Sequence, residues 1–239
     1  MTLKKEYLKY KVGKKEFEAY CIYPEKRNQN SSVVLVSPTW FGRDEYTCNY
    51  AHSIAKSGHI GIAFDVYGEG KVGKTKEENR SLMNPLINNR YELHNILESL
   101  IEKLDLSKIT DKKNIATMGW GFGAICSLDM ARKNLGINKV ITFYGMLSEY
   151  DIKDNSKIES EILVFHGNED RMITPNEIEK FKQEMQRRKA SWQMHIFGNT
   201  MHAFTNPQAK DESYGIMYSK LASERSWQTS LNFLNEKFS

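Results

Sequence analysis

The sequence predicts an α/β fold: one mostly parallel central sheet, helices on both faces and an N-terminal antiparallel hairpin. Three observations carry this prediction. Runs such as Val33-Val34-Leu35-Val36 and Ile60 to Val66 are too uniformly apolar for strands with one wet face and suit strands covered on both sides. Helically patterned stretches separate these runs along the chain. The 239 residues contain no Pro/Gly/Ser-rich linker and no internal repeat, so a single domain over 1–239 with one substantial core is expected.

The elements follow in order. Tyr7 to Val12 and Phe17 to Tyr23, around Gly13-Lys14-Lys15, read as an antiparallel hairpin at a sheet edge. The polar loop Glu25 to Ser32 leads to the strand Val33 to Val36, which ends at Ser37-Pro38-Thr39-Trp40-Phe41-Gly42. Tyr46 to Lys56, closed by Gly58, suits a helix before the strand Ile60 to Val66. A charged loop, Gly68 to Lys76, precedes a long helical stretch that Pro85 is expected to interrupt or restart. Asn114 to Met118 reads as a strand entering Gly119-Trp120-Gly121-Phe122-Gly123-Ala124, followed by a helix through about Lys133. Val140 to Tyr144 and Ile162 to Phe165 read as further strands. Thr174, Pro175 and Glu177 supply the cap and first turn of a helix reaching about Lys189. Trp192 to Phe197 alternates as a final strand, and Lys220 to Phe238 reads as a closing amphipathic helix.

Composition narrows the function. The net charge of +4 is spread along the chain, which argues against nucleic acid as the main partner. Cys21, Cys48 and Cys126 lie far apart without CxxC spacing, so a reduced cytoplasmic protein is expected rather than a disulfide framework or zinc site. The N-terminus has no signal-peptide pattern, and no apolar run is long enough for a bilayer. His52, His59, His94 and His195 show no metal spacing, and His166 reads as a packed scaffold histidine. No metal or organic cofactor is called for.

In open parallel sheets, ligands bind beyond the carboxyl ends of the strands. Four loops stand there: Thr39 to Gly42, the turn at Gly121, Gly167-Asn168-Glu169-Asp170, and Asn199 to Phe204. The glycine turn taken alone has the look of a phosphate cradle, but the dinucleotide fingerprint fails at its last Gly, although an Ala can stand there. Its small-x-nucleophile-x-small spacing instead matches a nucleophile elbow, with Gly121 at the apex where a Ser or Cys would stand. Asp170 alone reads equally well as a loop cap, and His202 alone as a surface histidine. Elbow, acid and base nevertheless arrive in the chain order of an α/β-hydrolase triad, and that joint placement favours catalysis.

These segments together resemble the dienelactone hydrolase family of α/β-hydrolases over nearly the whole chain. The resemblance rests on Val33 to Val36 with Trp40-Phe41-Gly42, Phe64-Asp65-Val66-Tyr67-Gly68, Met118 to Gly123, Phe165-His166-Gly167 with Asp170 and Pro175, His202 to Pro207, and Glu224-Arg225-Ser226-Trp227. It implies an α/β-hydrolase fold, a small ester or lactone substrate, Asp170 as acid, His202 as base, and an oxyanion hole from the Trp40 and Phe122 amides. Three departures accompany it. Gly121 replaces the family's Cys nucleophile, Thr39 replaces a Glu, and Asn206 replaces a substrate-binding Arg. Cys126 and Ser127 fall inside the helix that leaves the turn, Thr39 is the best-placed hydroxyl, and a water activated by His202 is a further nucleophile. Thr39, Phe41 and Asn206 fall among the expected pocket residues, and Trp40 with Phe41 would wall an apolar pocket. Arg90 and Tyr91 either line the pocket mouth to greet an anion or belong to a solvated helix face. The expected activity is hydrolysis of a small carboxylic ester or lactone, weakened or altered by the missing nucleophile. The alternative is a non-catalytic pocket protein that binds a small carbonyl compound or a protein partner.

Overall fold

The computed structural model describes residues 1–26, 31–106 and 114–237. Part of the polar loop, at 27–30, and the predicted helix end at Phe238 lie outside the described residues. In chain order the elements are β1 (Leu3–Val12), β2 (Lys15–Pro24), β3 (Val33–Ser37), α1 (Glu45–Lys56), β4 (Ile60–Phe64), α2 (Lys76–Asn88), α3 (Arg90–Leu106), β5 (Ile115–Trp120), α4 (Phe122–Arg132) and β6 (Lys139–Phe143). They continue as β7 (Glu161–Gly167), α5 (Pro175–Arg187), β8 (Ser191–Phe197), the short β9 (Lys210–Asp211) and β10 (Ile216–Met217), and α6 (Lys220–Asn235).

The sheet runs β1-β2-β4-β3-β5-β6-β7-β8. β1, β2 and β4 pair antiparallel, and every pairing from β4 through β8 is parallel. Alternation along β3 explains its unbroken apolar run. Val33 and Leu35 pack in one core layer with Leu93 and Leu97 of α3 and Ile125 and Leu128 of α4. Val34 and Val36 pack in the other with Ala51 and Ile54 of α1 and Phe233 and Leu234 of α6. A strand covered on both faces has no wet side to alternate with.

The helix break differs from the sequence reading. Pro85 lies inside α2, and the chain bends instead at Asn89, whose N–H donates to the Pro85 carbonyl at 2.9 Å. Near the end of a helix a proline removes one amide donor without preventing the last turn. The pair β9 and β10 had no sequence signal, because two residues per strand carry no periodicity. β5 extends past Met118 to Trp120, pairing Gly119 with Ser37 and Thr142, and Trp120 with Phe143. One residue, Gly121, then separates strand from helix.

A buried ion cluster ties α3, α4 and α5 together. Asp129 accepts from Arg90 Nε and Nη2 at 2.8 and 2.7 Å, approaches His94 Nε2 at 2.9 Å, and accepts from Arg132 Nη1 at 3.1 Å. Arg132 is forked onto Glu184 at 2.8 and 2.7 Å and also donates to the Leu147 and Ser148 carbonyls. Asp129 and Arg132 have no exposed side-chain surface, so each depends on the other's charge.

Candidate active site

The turn from β5 to α4 is sharp because a single residue makes it. Gly121 has φ +53° and ψ −114°, a conformation that strains any L-residue. Its N–H donates to the Phe143 carbonyl at 3.2 Å, and its own carbonyl accepts from Ala124 and Met146. The three glycines of the turn have different reasons to be there. A Cβ on Gly119 would collide with the Gly123 carbonyl, and one on Gly123 would lie 2.7 Å from the Pro38 carbonyl oxygen. A Cβ on Gly121 would meet no atom within 4 Å. Crowding therefore requires the outer glycines, while the middle one faces open space. Gly119→Ala is expected to cost about 1–3 kcal/mol through overpacking of the turn. Thermal unfolding should show a fall of roughly 2–4 °C per kcal/mol for a chain of this size.

Asp170 and His202 come together as the sequence implied. His202 Nδ1 lies 2.8 Å from Asp170 Oδ2, while Asp170 Oδ1 accepts from the Met172 and Ile173 amides at 2.8 and 3.1 Å. The carboxylate is thus held from both sides, with no side-chain exposure, and the imidazole is 14% exposed. The His202 backbone is fixed by β10 and its preceding turn: its N–H donates to the Gly215 carbonyl, and its carbonyl accepts from Met217. In the tautomer that donates Nδ1–H to Asp170, the lone pair of the ring lies on Nε2.

Tyr144 is a site residue that sequence reasoning missed. It adopts φ +37°, which is unusual for a bulky residue. Its ring sits edge-on to His202 at 4.8 Å and to Phe204 at 5.1 Å, while its hydroxyl pairs with Thr205 Oγ1 at 2.8 Å. Tyr144 directly follows Phe143, whose carbonyl holds the Gly121 amide, so one peptide links the apex to the base. The available signal was an aromatic residue closing a strand before Gly145. His166, read as scaffold, is 5% exposed, and burial lowers its pKa.

The Trp40 loop is positioned by the loop after β4. The Tyr67 hydroxyl donates to the Trp40 carbonyl at 3.0 Å, and Tyr67 itself stacks on Phe122 at 6.3 Å. Asp65 accepts from the Tyr67, Gly68 and Gly70 amides at 2.8, 3.0 and 3.1 Å, which fixes that loop in turn. Burial pushes the Asp65 carboxyl up, and these three amides oppose the shift. Among the described residues, neither the Trp40 nor the Phe122 amide donates to a protein acceptor. A cleft of about 200 Å³ opens beside Tyr67, lined also by Val66, Leu82 and Leu86, but it does not reach Gly121, Asp170 or His202.

The remaining predicted residues fall as follows. Phe41 is 38% exposed, and its ring lies edge-on to Trp40 at 5.5 Å. The Thr39 hydroxyl accepts from the Phe41 amide, and Asn206 Oδ1 accepts from the Gln208 amide. Arg90 does not offer a charge at the pocket mouth, because its guanidinium is committed to Asp129. Tyr91 is 74% exposed on its helix. Cys126 is fully buried, and burial pushes its thiol up. Ser127 is also buried and hydrogen-bonded to Ser37 and Thr117 at 2.9 Å each. Among the described residues no three His, Cys, Asp or Glu side chains gather as around a metal ion, and no helix is long and apolar enough to cross a membrane.

The chain is similar to known proteins in sequence and fold. An uncharacterised protein of Caenorhabditis elegans is 33% identical over 150 residues, 59% of this chain and 92% of its own length. A Bradyrhizobium protein named as a probable 2-oxo-3-(5-oxofuran-2-ylidene)propanoate lactonase is 22% identical over 213 residues, 84% of this chain and 82% of its own. The crystal structure of a dienelactone hydrolase-like promiscuous phosphotriesterase from metagenomic libraries has the same fold, with a TM-score of 0.92 at 24% identity and full coverage of both chains. The family model described as the dienelactone hydrolase family matches residues 17–238. The chain, with its α/β-hydrolase sheet, belongs to the dienelactone hydrolase family.

Proposed function

We propose that the protein hydrolyses small carboxylic esters or lactones at the Gly121, Asp170 and His202 site, with water in place of a side-chain nucleophile. The observation that carries this reading is the 2.8 Å Asp170–His202 pair, held at the end of the sheet where Gly121 leaves open space. His202 Nε2 takes a proton from the water as its oxygen attacks the carbonyl carbon. The free Trp40 and Phe122 amides steady the developing oxyanion. His202, held by Asp170, then returns the proton to the leaving oxygen, releasing acid and alcohol, or a hydroxy acid from a lactone. Thr39, Phe41 and Asn206 form the substrate wall in this proposal. The free cysteines Cys21, Cys48 and Cys126 fit a reducing cytoplasm as its location.

A non-catalytic pocket protein is the second reading, and Gly121 itself favours it. Glycine removes the backbone strain that a nucleophile at +53° would impose, a relaxation open to a chain that no longer needs one. A panel of aryl esters and lactones separates the two. The protein is expected to turn over at least one of them, and His202→Ala is expected to lower that rate by about 10²–10⁴-fold. Turnover that survives His202→Ala rules out the water mechanism, and a purified protein inert toward the whole panel supports the second reading.

A further inference from the structure

In the proposed mechanism the attacking atom comes from solution. Cys126 and Ser127 are buried, and Gly121 has no side chain. A Cβ at Gly121 would nevertheless find no neighbour within 4 Å, so a small molecule can bring its own atoms to that spot. The base it would meet is an imidazole, and the acidity of the incoming group decides how well that base works. Water is a far weaker acid than an alkyl thiol, whose pKa is about 8.5. The same imidazole therefore generates a thiolate far more readily than a hydroxide, and sulfur is also the better nucleophile toward an ester carbonyl.

We infer that this site transfers the acyl group of an aryl or enol ester to a low-molecular-weight thiol whose sulfur sits in front of Gly121. The inference rests on the reading of Asp170 and His202 as the base. The thiol proton passes to His202 Nε2 while the S–C bond forms at the carbonyl carbon. The Trp40 and Phe122 amides hold the oxyanion as before. Collapse breaks the C–O bond, and the proton on His202 goes to the departing oxygen. Ester and thiol become thioester and phenol or enol, with no oxidant, reductant or metal required. Aryl and enol esters are specified because their leaving oxygen carries charge well enough for thioester formation to run forward.

The test uses phenyl acetate and 2-mercaptoethanol with the purified protein, after subtraction of solution thiolysis. The expected result is a rate that saturates with thiol at a plateau at least about tenfold above the thiol-free rate, with S-acetyl mercaptoethanol as the product by mass spectrometry. Ethylene glycol at the same concentration is expected to give no such plateau. His202→Ala is expected to abolish the plateau, as is Gly121→Val, whose side chain occupies the thiol's place. If the Val variant does not fold, His202→Ala carries the comparison. A strictly linear thiol dependence equal to that of buffer, or acetate as the sole product, overturns the inference. Gly121→Cys distinguishes the two levels of failure. Hydrolysis by that variant without thiol, alongside a starting protein that ignores thiol, removes acyl transfer and leaves the catalytic reading of the dyad standing. If the starting protein and the Cys variant are both unaffected by His202→Ala, both readings fall.

Discussion

Gly121→Cys is expected to raise aryl-ester turnover by at least about 10²-fold and to lower thermal stability at the same time. The gain has two sources. A thiol on the apex reacts from within the site, avoiding much of the entropic cost of recruiting a nucleophile from solution. It also stands at the N-terminal end of α4, where the helix field favours the thiolate. The stability loss comes from the backbone. The new Cβ meets no atom, but φ +53° and ψ −114° cost an L-residue about 1–3 kcal/mol. Gly121→Ala provides the control, because it should lose the same stability without gaining activity. Steady-state kinetics with a phenolate burst, together with a melting curve for all three proteins, measures both effects. A folded Cys variant with no gain in turnover would show that the turn does not aim its apex at a bound carbonyl.

The parts of this molecule that were legible in the sequence are those where residue type alone sets the physics. Val33 to Val36 reads as a doubly covered strand because burial on both faces leaves no polar position. Thr174 with Glu177 reads as a helix start because both halves of the capping box are local, and both bonds form. The pairing of Asp170 with His202 was legible from chain order, since a sheet of this topology brings the loops after β7 and β8 together. Tyr144 was not found, because its place depends on a positive φ and a ring contact made between two loops. The partner of Arg90, left open between pocket mouth and helix face, was not legible for a related reason. A cation at a helix start reads as exposed until the partner helix is known to bury Asp129 opposite it. Pro85 misled because a proline signals a break without saying how many residues later the chain turns.

Asp129→Ala is expected to remove about 3–5 kcal/mol of stability near neutral pH. The carboxylate sits among Arg90, His94 and Arg132, and deleting it leaves Arg132 buried with one anionic partner fewer. The pH dependence carries a sign that identifies the cause. Burial opposes ionisation of Asp129, but hydrogen bonds from His94 and Arg90 and the charges of Arg132 and Arg90 outweigh it and hold the carboxyl down at about 2. A folded-state pKa below the unfolded value of about 3.9 means stability that is fully present above about pH 5 and lost as pH falls toward 2. The gap between the starting protein and Asp129→Ala in urea unfolding is therefore expected to be largest at pH 6 and to shrink by about 1 kcal/mol at pH 3. A gap independent of pH would assign the loss to packing rather than charge. Asp129 lies seven residues along α4 from Phe122, roughly 10 Å by helical rise, at the end away from Gly121. The cluster thus anchors the far end of the helix whose first turn forms the elbow. A variant that still folds should keep the 2.8 Å Asp170–His202 pair, because neither residue touches the cluster.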